Sequence, residues 1–300
     1  MISDDVPLVS IVTPSYNQGL FIEATLLSIK NQDYPKLEHV VIDGGSSDNT
    51  IEILKNYERE YNLKWISERD KGQSDAINKG FEAANGDIIG WLNSDDVYFD
   101  KRVISYVVNE FQRLSEIDVI YGDGIRIDDE NMTISVHHII PWFNYNRLLR
   151  QNFIFQPSSF FRRRVIQKHK LDVNLDFNMD YEYWLRLAGD GFRFKHANRI
   201  LAAFRIHRAA KSRARKRDPK AKVEVEKIRQ LYGYNFNISY YPHRLLDRIL
   251  AVYLKIYGAK TMMLLCANPQ KFDLAFLAKF NSPLSGVISH LTLQTPSKQF

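Results

Sequence analysis

The chain has 300 residues, of which 45% are hydrophobic and 25% are charged. This composition is that of a globular protein with room for one large domain or two smaller ones, and its single cysteine, Cys266, excludes an internal disulfide. The net charge of +6 is unevenly placed, since residues 205–217 contain seven cations and no acid while the remainder is nearly neutral. Such a distribution favours one basic segment over a general nucleic-acid-binding surface.

The first 115 residues alternate four times between a strand pattern and a helical pattern. Strands are predicted at residues 8–13, 37–42, 63–68 and 88–92, each followed by a polar loop and then a helix. This alternation predicts an α/β fold with a mainly parallel sheet and helices on both faces. Since crossover connections are right-handed, the loops after the strands gather at one edge of the sheet. We therefore expect the following residues to lie near one another: Tyr16, Asn17, Asp43, Asp70 and Asp95.

The alternation changes after residue 118. Residues 119–123 and 132–138 predict a hairpin-like insertion, and residues 156–161 predict another strand. Residues 179–187 predict a helix start, and residues 199–207 predict a last strand that leads into the basic segment.

The domain organisation follows from this change of pattern. Residues 1–220 are predicted to form one domain, with a first half at about 1–117 and a second half at about 118–220. Residues 221–300 are predicted to form a helical C-terminal extension.

The fourth strand ends in two adjacent carboxylates, Asp95 and Asp96, after Asn93 and Ser94. Like charges side by side repel unless a cation or solvent separates them. Oxygen ligands at a strand end suit a hard divalent cation, Mg²⁺ or Mn²⁺, shared with a phosphate. The alternative is an ordinary polar turn, in which Asn, Ser and Asp are common.

Asp43 ends the second strand and is followed by two glycines. A carboxylate there is placed to accept hydrogen bonds from a nucleotide base or a ribose, while glycines let the backbone approach a ligand. The alternative is a turn with a helix cap. The chain contains neither a GxGxxG fingerprint nor a GxxxxGK[ST] phosphate loop, so those two nucleotide sites are not predicted.

Four ordered segments carry a resemblance to a known family: residues 9–17 (VSIVTPSYN), 43–50 (DGGSSDNT), 70–80 (DKGQSDAINKG) and 85–96 (NGDIIGWLNSDD). They resemble the successive motifs of family 2 glycosyltransferases with the GT-A fold. The resemblance implies a mixed, mainly parallel sheet flanked by helices. It implies that residues 1–220 are a catalytic domain, with a nucleotide-sugar half at about 1–117 and an acceptor half at about 118–220. It also implies inverting transfer of a sugar from a nucleotide diphosphate donor to an acceptor hydroxyl, assisted by Mn²⁺ or Mg²⁺.

The resemblance also implies roles for individual residues of the donor site. Residues implied to bind the nucleotide and the donor sugar are Thr13, Pro14, Tyr16, Asn17, Asp43, Asp70, Gly72, Asp75, Asn93, Ser94, Asp96 and Arg205. The family's Asp-x-Asp motif falls on residues 93–95, so Asn93 replaces its first aspartate and brings no charge. Asp95 is the expected metal ligand, and one fewer carboxylate predicts weaker metal binding without the donor diphosphate.

Asp180 occupies the position of the family's catalytic base, which would take the proton from the attacking hydroxyl. The alternative is a helix N-cap, a common use of aspartate. His207 is expected as a second metal ligand or a phosphate donor, against the plain interpretation of a structural histidine. Arg205 is expected to stabilise the departing diphosphate, whereas residues 213–217 are expected to form a solvated loop. Gln156 and Trp184 are expected to shape the acceptor site.

The donor is expected to be a UDP-sugar by default, and the acceptor a glycan or lipid-linked glycan of polysaccharide biosynthesis. Residues 240–265 predict an amphipathic helix, which would pack on the catalytic domain, form a homodimer contact or lie on an anionic membrane surface. We expect a cytoplasmic protein, free or peripheral on the inner face of the membrane, because no secretory signal and no run of 18 apolar residues is found.

Two other classes of function stay open at this point. A sugar nucleotidyltransferase would share the sheet, but the glycine-rich phosphate loop with an arginine is missing after the first strand. A nucleic-acid-binding or membrane-surface protein would use the basic segment and the C-terminal helices, but it would leave the strand-end carboxylates without a role. We expect no nucleic acid partner.

Overall fold

The computed structural model describes residues 6–137, 139, 142–215 and 217–233. Within them, nine strands form one sheet: β1 (Val9–Ser15), β2 (Leu37–Asp43), β3 (Leu63–Ser67), β4 (Ile88–Trp91), β5 (Val97–Tyr98), β6 (Val119–Ile127), β7 (Thr133–His137), β8 (Ser159–Arg162) and β9 (Phe194–Arg205). The described helices are α1 (Ile22–Lys30), α2 (Thr50–Tyr57), α3 (Gln73–Ala83), α4 (Val103–Arg113), α5 (Tyr145–Arg150), α6 (Arg163–Lys168), α7 (Met179–Gly189), α8 (Lys211–Arg215) and α9 (Pro219–Leu231).

The sheet has the strand order β3-β2-β1-β4-β8-β6-β9-β5, with β7 paired to β6 outside this path. The four predicted strand–helix units are confirmed, and their strands β1 to β4 pair in parallel. The predicted hairpin is confirmed as the antiparallel pair of β6 and β7. Strand β8 runs antiparallel to both β4 and β6, so the second half of the sheet is more evenly mixed than the sequence predicted.

The parallel register brings the strand ends together at one edge. Ser15 at the end of β1 is paired with Asp43 at the end of β2, and Asp43 is paired with Ser67 at the end of β3. On the other side of β1, Val12 is paired with Trp91, the last residue of β4. The loops after all four strands therefore start at the same rim, as the crossover argument predicted.

Alternation along β1 divides the core into two layers. Val9 and Ile11 point into one apolar cluster together with helix α4, and Val12 points into the other together with helices α3 and α7. Helix α3 packs tightly because it carries a glycine at the contact: a Cβ on Gly80 would lie 2.3 Å from Val12 Cγ1. This close packing fixes the loop that precedes α3, which belongs to the strand-end rim.

The boundary predicted at residue 220 falls inside helix α9. Ile228 of α9 is buried in the cluster that contains α7, and Val225 packs against the same cluster. Helix α9 therefore belongs to the body that carries the sheet. Among the described residues, no helix has both the length and the apolar character needed to cross a membrane. The predicted amphipathic helix of residues 240–265 lies outside the described residues.

Candidate active site

A cavity of about 1830 Å³ opens at the rim formed by the strand ends. It reaches from the loops after β1, β2 and β3 to the start of α7 and the residues of α8 and α9. The predicted site residues that line it are Pro14, Tyr16, Asp70, Gly72, Asn93, Ser94, Asp95, Gln156 and Asp180. Three carboxylates from distant parts of the chain, those of Asp70, Asp95 and Asp180, thus face one cavity.

An aromatic face and a carboxylate lie together at one end of the cavity. Tyr16 is 62% exposed there, and the Asp70 carboxylate accepts a hydrogen bond of 2.8 Å from the backbone N–H of Gly72. Gly44 lies between them, since a Cβ at that position would be 2.7 Å from Asp70 Oδ2 and 3.3 Å from the Tyr16 ring. The glycine predicted for close backbone approach therefore holds two lining side chains together.

Asp43 does not line the cavity, because its carboxylate is fully buried beneath the loop that does. It accepts hydrogen bonds from the backbone N–H groups of Gly45 and Ser46 and from the hydroxyls of Ser46 and Ser67. These four bonds hold the turn after β2 in place. In this structure Asp43 thus shapes the loop, and its expected contact with the base stays a prediction.

Asn93 uses its whole amide in a hydrogen-bond network. Its Oδ1 accepts from Trp91 Nε1 and Gln73 Nε2, both at 3.0 Å. Its Nδ2 donates to Asp96 Oδ2 at 3.3 Å and to Gln156 Oε1 at 3.0 Å. A carboxylate would fit neither of the last two bonds, so the departure from the Asp-x-Asp motif has a structural reason here.

Asp95 and His207 meet at the centre of the rim. His207 Nε2 lies 3.0 Å from Asp95 Oδ2, and the imidazole is packed on Phe21 with 4.4 Å between ring centroids. Two donor atoms about 3 Å apart fit adjacent positions around a six-coordinate cation whose bonds are ~2.1 Å long. No group of three or more His, Cys, Asp or Glu side chains suited to a metal exists among the described residues. The pair therefore fits a cation that takes its remaining ligands from a bound phosphate or water.

The buried side chains of Asp96 and Arg205 hold the pair of Asp95 and His207 in place. Asp96 is fully buried and accepts the backbone N–H of Arg205, and burial together with the neighbouring Asp95 raises its pKa well above the ordinary value. The buried guanidinium of Arg205 donates to the carbonyl oxygens of Asp95 and Asp128. These contacts tie the end of β9 to the loop after β4.

Asp180 lies in the first turn of α7 and lines the cavity. Its Oδ2 accepts a hydrogen bond of 3.0 Å from Asn152 Nδ2. Burial raises the pKa of the Asp180 carboxyl above its ordinary value, although the charge of Arg215 and the bond from Asn152 act in the opposite direction. A carboxylate with a raised pKa at a cavity wall is suited to taking up a proton.

The comparison with protein families decides the assignment. The family model described as Glycosyl transferase family 2 matches residues 10–169, which is more than half of the chain. The chain belongs to glycosyl transferase family 2. The matched segment includes the rim residues from β1 to β4 and the loop that carries Asn152, and it ends before Asp180 and His207.

Family 2 relatives resemble the chain over about two thirds of its length. It is 30% identical to a chondroitin synthase of Escherichia coli over 196 residues, which is 65% of this chain and 28% of that protein. It is 28% identical to a hyaluronan synthase of Pasteurella multocida over the same share of this chain and 20% of that protein. The matched part of the chain thus covers less than a third of the length of each of these two synthases.

Solved structures share the fold of this family 2 chain. TarS of S. aureus, solved in complex with UDP-GlcNAc, gives a TM-score of 0.64 at 18% identity and covers 75% of this chain and 66% of its own. The mannosyltransferase PcManGT of Pyrobaculum calidifontis was solved with GDP-Man and Mn²⁺. It gives a TM-score of 0.59 at 17% identity, and the match covers 97% of this chain and 81% of PcManGT. The GT-A fold expected from the sequence is confirmed.

Several residues that the sequence placed in the site do not line the cavity. Thr13 is buried and bonded to His39, Asn17 holds the adjoining loop through Ser46 and Ser47, and Asp75 accepts the backbone N–H of Lys71. Arg205 is 1% exposed and does not line the cavity, so its expected contact with a departing diphosphate has no support from this arrangement. Trp184 is fully buried against Trp91, so its expected contact with the acceptor has no support either.

The sequence reasoning also missed residues that line the cavity. Residues 211–215 form helix α8, and Arg213 and Arg215 line the cavity, so the expected solvated loop is wrong for this part of the segment. Asn152, which bonds Asp180, lies in a stretch with no periodic pattern. Arg126 lies on β6, where only the pairing with its neighbours reveals which face it occupies.

Proposed function

We propose that this protein is an inverting glycosyltransferase. It moves a sugar from a nucleotide diphosphate donor, a UDP-sugar by default, to a hydroxyl of a glycan or a lipid-linked acceptor. The observation that carries this proposal is one cavity whose lining includes Tyr16, Asp70, Asp95 and Asp180, with His207 beside Asp95.

The donor lies with its nucleotide at the ends of β1 to β3. Tyr16 offers an exposed ring for the base, and the Asp70 carboxylate accepts hydrogen bonds from ribose hydroxyls. The diphosphate then points towards Asp95, because the loop after β4 follows next along the rim. Nucleotide sugars occupy two solved proteins of the same fold, TarS with UDP-GlcNAc and PcManGT with GDP-Man.

Asp180 is the general base. Its carboxylate takes the proton from the acceptor hydroxyl while the hydroxyl oxygen forms a bond to the anomeric carbon. The bond between that carbon and the diphosphate oxygen breaks on the opposite face, and the nucleoside diphosphate leaves with the electron pair. Asn152 orients the carboxylate through its hydrogen bond of 3.0 Å, so that one oxygen faces the cavity.

Asp95 and His207 would hold a divalent cation, Mn²⁺ or Mg²⁺, at the diphosphate. Such an ion neutralises the charge that develops on the leaving group. Two protein donors bind a cation weakly alone, so metal and donor are expected to bind together. Asn93 contributes through its network, which fixes the loop after β4.

A thermal-shift screen of nucleotide sugars with and without Mn²⁺ tests the proposal. A true donor raises the unfolding temperature by mass action, and the shift should grow when metal is present. Asp95→Ala should remove the metal-dependent part of that shift. The proposal is contradicted if no nucleotide diphosphate or nucleotide sugar stabilises the protein with either metal.

Turnover separates the base from the binding residues. Asp180→Asn should lower turnover by about 10²- to 10⁴-fold while donor stabilisation is kept. Asp33→Asn is the matched control, because Asp33 is exposed and far from the cavity. Wild-type turnover in Asp180→Asn would show that another group takes the proton.

The alternative functions are not favoured. Arg205 is buried in backbone contacts, while Lys211, Arg213 and Arg215 line the same cavity as Asp180. Three cations of the basic segment thus line the cavity and one is buried, which leaves only Arg208 and Arg217 of its described cations on the open surface.

A further inference from the structure

Arg126 is a charged side chain that lines the cavity without a protein partner. Its side chain is half-buried, and burial lowers the pKa of the guanidinium. It makes no hydrogen bond or ion pair with any of the residues that the structure describes. A partly buried cation without a counter-charge costs free energy, so a ligand anion at this position would recover what the fold leaves unsatisfied.

The register of the sheet places Arg126 on the acceptor side of Asp95. Phe160 of β8 pairs with Gly90 of β4 on one side and with Ile120 of β6 on the other, so these two residues lie at the same level. Strand β4 ends one residue after Gly90, whereas β6 continues to Ile127. Arg126 therefore lies beyond the end of β4, on a strand that β8 separates from β4 and from the strands before the loops of Tyr16 and Asp70.

Neighbouring strands set the direction of the Arg126 side chain. In the sheet, Arg126 lies opposite Ser135 of β7 on one side and opposite Phe204 of β9 on the other. Ile125 and Ile127 are buried in the cluster on the opposite face of the sheet. Alternation along β6 then puts Arg126 on the cavity face, where Ser135, Phe204 and Phe155 also line the wall.

The acceptor half of the cavity carries an excess of positive charge. From residue 126 onward its lining contains six cations: Arg126, Lys211, Arg213, Arg215, Lys222 and Arg229. The same part of the lining contains three acids: Asp176, Asp180 and Glu226. Arg213 lies in α8 across the cavity and its side chain also has no partner among the described residues. The potential on this side thus favours a negatively charged group.

We propose that Arg126 forms a subsite for an anionic oxygen group, a carboxylate or a phosphate, carried by the acceptor sugar. The proposal rests on the function proposed above, since it takes this half of the cavity as the acceptor site. A guanidinium binds either group through two parallel hydrogen bonds, which fixes the orientation of the sugar as well as its charge. The ring of Phe155 and the ring of Phe204 form the apolar wall beside it.

Three small sugars serve as probes for this subsite: methyl β-D-glucuronide, glucose 6-phosphate and the neutral methyl β-D-glucoside. Each is titrated by ligand-observed NMR into the full chain saturated with UDP and Mn²⁺. We expect at least one of the two anionic sugars to bind about tenfold or more tightly than the neutral one, as for a hydrogen bond to a charged group. The anion that gains more identifies the group as carboxylate or phosphate.

Arg126→Gln should remove this preference, and Arg126→Lys should keep part of it through charge alone. Arg113→Gln is the control for net charge, because Arg113 is exposed on α4 and its ion pair is with Glu110 of the same helix. It should keep the full preference. The unfolding temperature of Arg126→Gln should equal or exceed that of the wild type, since the variant removes an unpaired cation.

The inference is overturned if the wild type binds all three sugars equally, or if Arg126→Gln keeps the anionic preference. It is also overturned if Arg126→Gln weakens UDP binding by the same factor, since the arginine would then serve the donor. Failure of UDP to bind the wild type would instead contradict the proposed function. A preference lost in Arg126→Gln would still support an anion subsite in that case.

Discussion

Asn93 shows how one atom type decides a local structure. Its amide donates to Asp96 and Gln156 and accepts from Trp91 and Gln73. Asp96 is fully buried and its pKa is raised well above the ordinary value by burial and by Asp95. A second carboxylate in contact with it would face a like charge in a site with little water. The neutral amide therefore suits the network that holds the loop after β4.

Asn93→Asp tests this account through the pH dependence of stability. The new carboxyl group and Asp96 would both have a raised pKa in the folded state. The protein is then most stable when both are protonated, and this stability is lost as pH rises from the pKa of the unfolded state, near 4, through the pKa of the folded state. We expect the free energy of unfolding to fall by ~1–3 kcal/mol at pH 8 and by less at pH 5. Denaturant unfolding at both pH values measures it. Asn56→Asp on the exposed face of α2 is the control, and equal effects at both sites would contradict the account.

Asp180 gives a prediction about the pH dependence of turnover. Its pKa is raised by burial, while Arg215 and the hydrogen bond from Asn152 hold it down. A general base works when deprotonated, so kcat/KM should fall as pH falls through this raised pKa. Asn152→Ala and Arg215→Gln each remove a lowering contribution and should move the acid limb of the profile to higher pH. The exposed Asn146→Ala should leave it unchanged, and an acid limb unmoved in both variants would argue against Asp180 as the base.

At the scale of elements, helix α9 binds the backbone segment that leads into α7. The Glu224 carboxylate accepts the backbone N–H groups of Asp176, Phe177 and Asn178 at 2.9, 3.0 and 3.1 Å. These groups directly precede α7, where a negative charge is stabilised by the N-terminal N–H groups of the helix. Glu224 thus caps the helix that carries Asp180, from a helix that follows it by some 40 residues in the chain.

Glu224→Ala should lower both stability and turnover. Three backbone donors would lose a charged acceptor, and we expect the free energy of unfolding to fall by ~2 kcal/mol. Turnover should fall more than donor stabilisation, since the first turn of α7 positions Asp180 rather than the nucleotide. Denaturant unfolding and initial rates measure these effects, with the exposed Glu52→Ala as control. Unchanged turnover with lowered stability would show that the cap does not position Asp180.

The first half of the sheet could be predicted from the sequence because its information is local. Strands β1 to β4 are short apolar runs followed by helical periodicity, and right-handed crossovers fix the side on which their loops lie. The second half depends on pairings over long separations, such as Ile88 with Arg162 and Val119 with Phe194. No local pattern specifies such partners, so the sequence indicated strands but not the alternation of parallel and antiparallel pairs.

The candidate site divides in the same way. Asp95 and Asp180 could be predicted because they follow or begin predicted elements. Asp43 and Trp184 were placed in contact with ligands, yet both are fully buried. Residue type and spacing do not tell whether a strand-end carboxylate faces a ligand or its own loop, because both uses need the same backbone N–H groups and the same turn.

At the scale of the whole molecule, the basic segment has two different uses. Arg205 is buried and binds carbonyl oxygens, so its charge supports the loop after β4. Lys211, Arg213 and Arg215 belong to α8 and face the cavity. The sequence shows only a run of cations. The structure divides these cations into two groups. Arg205 is buried because β9 ends beside Asp96, and the cations of α8 line the cavity.

We expect the catalytic domain to extend to the end of helix α9. Helix α9 buries Ile228 in the core cluster of α7, Val225 and Tyr232 pack against that cluster, and Glu224 caps α7. A chain ending at residue 217 loses all these contacts, whereas a chain ending at residue 233 keeps them. Burial of such side chains stabilises by roughly 1.5–3 kcal/mol each at most, so we expect the shorter chain to unfold about 10 °C below the longer one.

The same pair of chains separates the two halves of the cavity. The nucleotide end is built from β1 to β4 and α3, so UDP with Mn²⁺ should still stabilise the shorter chain. The anionic sugars should lose affinity, because Lys222 and Arg229 leave with α9 and the cap of α7 is gone. Scanning calorimetry with each ligand measures both effects. Equal unfolding temperatures would place the boundary of the catalytic domain before α9, close to the position that the sequence predicted.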